Sequence, residues 1–209
     1  MAMTADRKHF LLRRLHSLSG LAPIGGFLLF HFYENGKVLQ GPEVWTESAE
    51  AIAAIPLPLL LSVEVLVLYI PILFHALYGL YIVRTGKPNF SSYPYMHNYF
   101  YTLQRLSGVL AFLFIGFHVG STRLRYYFTG AHADFEYMQQ TMANPLLLGV
   151  YLLGVVASVF HFTNGVWGFS VTWGITVGPR AQRVLHAACM AVFAGMSLLG
   201  VNILLAFKG

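Results

Sequence analysis

Five stretches of about 20 apolar residues, roughly 17–34, 58–83, 106–122, 146–170 and 186–207, restrict this chain to folds that a lipid bilayer can hold. Strand-like alternation is missing from all five. An unpaired backbone group in hydrocarbon costs several kcal/mol, so the pattern supports an all-α integral membrane bundle and excludes a β-barrel. Only 10% of the residues are charged and the mean hydropathy is +0.61, far from the composition of a soluble domain. With their polar flanks, the helices are expected over about 17–34, 58–83, 100–126, 146–172 and 182–207. No polar linker divides them, so residues 1–209 are read as a single transmembrane domain.

Charge sets the expected orientation. Arg7, Lys8, Arg13, Arg14, Arg84, Lys87, Arg105, Arg180 and Arg183 fall on one side of the five spans, against Lys37, Arg123, Arg125 and Lys208 on the other. The positive-inside rule places the N-terminus in the cytoplasm and the C-terminus outside. The basic N-terminal residues followed by an apolar run resemble a signal peptide, but the run is long and lacks an A-x-A site, so it is read as an uncleaved first helix. The net charge of +5 reflects the basic rim, which suits anionic lipid head groups or an acidic partner protein. No nucleic-acid motif is visible. Cys189 is the only cysteine, which excludes an internal disulfide, covalent haem attachment and a thiolate set for an iron–sulfur cluster.

Four of the nine histidines directly follow a phenylalanine: Phe30-His31, Phe74-His75, Phe117-His118 and Phe160-His161, spaced by 44, 43 and 43 residues. The second and fourth copies also share a glycine four residues on, Gly79 and Gly165. Histidines within spanning helices are costly and face the bundle interior. At 1.5 Å per residue, His31 lies about 26 Å from Arg14 and His118 about 20 Å from Arg105, both towards the outer face. His75 lies about 14 Å from Arg84, and His161 matches it, both towards the inner face. The four therefore sort into an outer pair, His31 with His118, and an inner pair, His75 with His161.

Two imidazoles without a carboxylate or thiolate suit zinc poorly but fit the two axial positions of a haem. The economical reading is two stacked haems b, with the four histidines ligating iron. Gly79 and Gly165 lie one turn beyond their histidines. Gly20 and Ser107 lie 11 residues before His31 and His118 on the same faces, and these small residues are expected to leave space for the macrocycle.

The motifs that carry these residues resemble the cytochrome b558 family, the two-haem, single-chain membrane anchors of bacterial succinate dehydrogenases and fumarate reductases. They are Arg13-Arg14-Leu15-His16-Ser17-Leu18-Ser19-Gly20, Pro71-Ile72-Leu73-Phe74-His75 through Gly79, Leu103-Gln104-Arg105-Leu106-Ser107-Gly108 with Phe117-His118, and Phe160-His161 through Gly165 and Trp167, followed by Pro179-Arg180. The resemblance spans nearly the whole chain. It implies a multi-pass subunit of the bacterial cytoplasmic membrane within complex II. A flavoprotein (FAD) subunit would handle succinate and fumarate, an iron–sulfur subunit would relay electrons, and this chain would anchor both without binding dicarboxylate. It also implies that the chain serves the respiratory chain and the tricarboxylic acid cycle, with a quinone, menaquinone in the two-haem type, as the electron partner.

Quinone chemistry moves protons as well as electrons, which requires a protonatable group near the ring. Glu64 is the only acid within an apolar stretch, 11 residues before His75, and is expected to carry protons at an outer quinone site. Arg14, His16, Ser19 and Arg105 are expected at the cytoplasmic edge, against haem propionates or an inner quinone carbonyl. Rival readings are a dihaem anchor of another quinone-linked oxidoreductase, a haem-free histidine-relay transporter, and a purely structural anchor.

Overall fold

The computed structural model describes residues 5–209, and every regular element among them is helical. In chain order these are α1 (Asp6–Gln40), α2 (Pro42–Ala53), α3 (Leu57–Thr85), α4 (Met96–Ser121), α5 (Phe135–Ala143), α6 (Pro145–Thr172) and α7 (Pro179–Lys208), with one short helical turn over Arg125–Thr129 between α4 and α5. Five of them, α1, α3, α4, α6 and α7, are long and apolar enough to cross a membrane, so the chain is a multi-pass membrane protein. The helix at the N-terminal end starts well before residue 17, because Arg7, Lys8, Arg13 and Arg14 lie on turns beyond the apolar stretch, and charge outside hydrocarbon does not oppose helix.

Local chemistry fixes the ends. The Asp134 carboxylate accepts the Tyr137 N–H at 2.9 Å, and the Asn144 side-chain oxygen accepts from Leu146 and Leu147 at 2.9 and 3.3 Å. These caps satisfy donors that the first turns of α5 and α6 leave free. Pro145 and Pro179 follow as first helical residues, where a missing N–H costs nothing. Gly41 and Gly178 precede α2 and α7 at φ +132° and +87°, a region side-chain-bearing residues avoid.

Two spanning helices are locally underwound into π-turns, over Gly20–Ile24 in α1 and Glu64–Tyr69 in α3. Pro23 lies inside the first, and Pro71 follows the second closely. A proline within a helix lacks its donor and pushes on the carbonyl four residues back, and a wider turn relieves both problems. In α1 the Gly25 N–H consequently reaches the Gly20 carbonyl, five residues back. Such a turn holds one more residue than the α-helix it replaces.

The densest packing lies at the end of the bundle that carries α2 and α5. There Val38, Met138, Met142, Tyr151, Ile203, Leu204 and Phe207 form one buried cluster, with Trp45 edge-on to Phe207 at 5.2 Å. Helix α7 packs along α6 and reaches α5 and α1, while α4 packs along α6 and α3 along α1. Leu66, Leu77, Leu113, Leu153 and Leu198 are each more than half exposed along the spans. Such a surface has lipid rather than water as its natural solvent.

Candidate functional site

The four Phe-His histidines meet in two pairs, each drawn from alternate spanning helices. The His75 ring (α3) and the His161 ring (α6) have centroids 6.0 Å apart at 85°, and the His31 ring (α1) and the His118 ring (α4) 5.6 Å apart at 71°. The His31–His118 pair lies on the α2/α5 side and the His75–His161 pair on the arginine-rich side.

Two copies of one local device hold the His75–His161 pair. The Nδ1 of His75 is 2.8 Å from the main-chain oxygen of His16, and the Nδ1 of His161 is 3.0 Å from that of Gln104. A carbonyl only accepts, so both Nδ1 atoms carry the proton and both Nε2 atoms keep a free lone pair. Four residues past each acceptor stands a glycine facing the histidine ring. A Cβ on Gly20 would collide with the imidazole of His75, and one on Gly108 would come within 2.7 Å of that of His161. The serines match as well: Ser19 donates to the His16 oxygen at 2.9 Å and Ser107 to the Gln104 oxygen at 3.2 Å. His16-Ser17-Leu18-Ser19-Gly20 and Gln104-Arg105-Leu106-Ser107-Gly108 are therefore structural equivalents.

This equivalence shifts the register expected from spacing alone. Counting 11 residues back from the outer histidines aligns Gly20 with Ser107, whereas the structure aligns Gly20 with Gly108. The π-turn of α1 supplies the difference, since it inserts one residue between Gly20 and His31 that the regular α4 lacks between Gly108 and His118. Gly79 and Gly165 are also equivalent, but each faces the side chain of the acceptor residue. A Cβ there would lie 3.2 Å from the His16 ring and 3.5 Å from the Gln104 amide, respectively.

His16 stacks on His75 with centroids 4.0 Å apart at 12°. In its place, Gln104 donates to the His161 carbonyl at 3.0 Å and accepts from Asn164 at 2.7 Å. Sequence reasoning passed over Gln104, although an amide and a neighbouring Asn164 in facing spans already announce a buried polar contact. Arg105 donates to the Tyr101 carbonyl at 2.9 Å, with Gly86 making room for its guanidinium. Arg14 instead lies over the Phe10 and Trp173 rings, 5.0 Å from each centroid. His16 Nδ1, Tyr78 Oη and Arg105 Nε are buried polar atoms without a protein partner.

Side chains surround the His31–His118 pair. The His118 Nδ1 faces the Tyr151 hydroxyl at 3.3 Å, and the His31 ring faces the Asn35 amide at 3.3 Å. Asn35 is itself held by the His31 carbonyl at 2.9 Å and by the Trp45 indole N–H of α2 at 3.4 Å. Glu64 stands at the start of the π-turn in α3 and is gripped by Arg123 from just beyond α4, Oε1 to Nε at 2.8 Å and Oε2 to Nη2 at 3.0 Å. That bidentate pair is mostly withdrawn from the surface.

Among the described residues no group of three or more histidine, cysteine, aspartate or glutamate side chains could hold a metal ion. The available donor sets are the paired imidazoles. No protein-family model matches the chain. Over 203 residues, covering 97% of this chain and 99% of the relative, it is 38% identical to the succinate dehydrogenase cytochrome b558 subunit of Bacillus subtilis (strain 168). Identity at that level along the whole length, on a five-span helical bundle, decides the matter: the chain belongs to the family of succinate dehydrogenase cytochrome b558 subunits.

Proposed function

We propose that this chain anchors complex II in the bacterial cytoplasmic membrane and carries electrons between an iron–sulfur subunit and a membrane quinone through two bis-histidine haems b. The N-terminus and the arginine-rich end face the cytoplasm, where the iron–sulfur and FAD-bearing subunits dock. His75 and His161 ligate the inner haem and His31 and His118 the outer one. One observation carries this reading: two pairs of imidazoles from alternate helices, with both inner Nδ1 protons locked on main-chain carbonyls so that both Nε2 atoms are free for iron. Metal-bound histidines characteristically secure their second nitrogen in this way.

The residues present fit the group. The donor set is imidazole alone, and the orphaned His16 Nδ1, Tyr78 Oη and Arg105 Nε supply polar partners towards the cytoplasmic end that suit haem carboxylates. Bound haem iron stores and passes one electron at a time. The chain's own work is to hold the imidazoles of His75, His161 and His118 by the far nitrogen and to seat the inner rings against Gly20 and Gly108. Ser19 and His16 hold His75, Arg14 and Arg105 stand ready at the cytoplasmic rim, and Ser107, Gly79 and Gly165 keep the helices close. Glu64 carries protons at an outer quinone site, with Arg123 fixing its carboxylate and menaquinone as the quinone.

Extraction of protohaem from complex purified through a tag on this chain tests the reading. Two per chain, both reduced on adding succinate, is the expected result. No haem would overturn the proposal and leave a histidine relay, and haem that succinate fails to reduce would assign the chain to another oxidoreductase.

A further inference from the structure

We propose that Tyr151 is a positioning residue for His118 and that its single hydroxyl oxygen tunes the outer haem, an inference resting on the haem reading above. Tyr151 is 2% exposed, within the apolar first half of α6. Its ring meets His118 edge-on with centroids 5.7 Å apart, and it packs in the same manner on Phe114 and Phe117 at 5.3 and 5.9 Å. Phenylalanine would supply all of that packing. The hydroxyl adds a polar atom to a hydrocarbon interior, which is costly unless it finds a partner. It lies 3.3 Å from Nδ1 of His118.

The chemistry of ligation assigns the direction of that bond. An imidazole that binds iron through Nε2 carries its proton on Nδ1, so His118 donates and the phenol oxygen accepts. At the inner site the same task falls to the main-chain oxygens of His16 and Gln104, which no substitution deletes. At His118 it falls to one side-chain atom that a substitution can remove. An acceptor on Nδ1–H makes the imidazole a more basic ligand. A more basic ligand favours ferric over ferrous iron and so lowers the reduction potential at that site. Loss of the acceptor therefore raises the potential of the outer haem and leaves the inner one alone.

The test is a redox titration of both haems, by absorbance and by electron paramagnetic resonance, in the intact complex with Tyr151→Phe. Two haems per chain, an upward shift of one midpoint and an altered low-spin signal for that haem alone are expected. 3,5-Difluorotyrosine at position 151 keeps the ring and weakens the acceptor, and should shift the same midpoint in the same direction by less. Should the phenylalanine variant lose the outer haem, the fluorinated protein decides by that shift. Unchanged midpoints, or equal movement of both, overturn the assignment. Wild-type complex with two haems and an unmoved variant sinks only the role of Tyr151, whereas wild type without haem sinks the haem reading and this inference together.

Discussion

The inner and outer histidine pairs are held by different parts of the chain. Main-chain oxygens of His16 and Gln104 hold the inner imidazoles, and glycines back their rings. Side chains hold the outer ones: the hydroxyl of Tyr151 and the amide of Asn35, the latter tied to Trp45 of α2. A main-chain acceptor is present whatever residue occupies the position, so the inner site depends on helix register and on the absence of a Cβ. The outer site depends on the identity of several side chains and can be adjusted one atom at a time. The α1 π-turn lies between the two levels and sets the rotation of one against the other.

The largest effect should follow removal of an inner ligand. His161→Ala, or His75→Ala, is expected to halve the extracted haem and to abolish succinate-driven reduction of the haem that remains, because the outer site then has no relay towards the cytoplasm. Reduction of the remaining haem at the wild-type rate would break the claim that the two levels work in series.

A paired deletion tests the register next. Leu113 faces lipid on α4, 63% exposed, so its loss removes no packing. Deleting it turns His118 by about 100° and moves it about 1.5 Å relative to Gly108. The outer haem should be lost and the inner one retained. Deleting Pro23 removes both the extra residue of the α1 π-turn and the proline that requires it, which gives α1 the regular spacing of α4. Both haems should then remain. Loss of the outer haem from the Pro23 deletion would show that the π-turn does more than compensate register.

These levels were only partly legible in the sequence. Five apolar stretches dictated five helices, and helix rise alone grouped His31 with His118 and His75 with His161, whose rings do meet. The small residues were misaligned by one, Gly20 against Ser107, because a count of residues cannot see a turn that holds an extra one. Pro23 was the available signal. The acceptors for the inner imidazoles are main-chain atoms and leave no residue type to recognise. Tyr151 stands in no motif that singles it out, and Arg123 was counted towards topology while its partner Glu64 lies 59 residues away, a pairing that no local pattern encodes.

Glu64→Gln separates proton handling from haem binding. General acid–base groups contribute about 10²- to 10⁴-fold, so quinone turnover should fall at least into that range. Haem content and spectra should stay those of wild type. The lost ion pair with Arg123 is mostly withdrawn from the surface, so its loss costs more stability than the about 1 kcal/mol of an exposed pair. Unchanged turnover with intact spectra would confine Glu64 to tying α3 to the segment after α4.

The smallest effect should come from the residue that most resembles an inner-site anchor. Gln104→Ala removes the amide that donates to the His161 carbonyl and accepts from Asn164, at about 1 kcal/mol per lost bond and somewhat more for leaving Asn164 unpaired. The oxygen that holds His161 Nδ1 belongs to the backbone and survives the change. The variant should melt a few degrees lower yet keep both haems at their wild-type midpoints. Tyr151→Phe, which removes no packing but leaves the His118 Nδ1–H without its acceptor, should lose a comparable amount of stability and, unlike Gln104→Ala, move a midpoint. A midpoint shift at the inner haem in Gln104→Ala would mean that side chains rather than main chain set both sites, and the distinction between the two levels would fall.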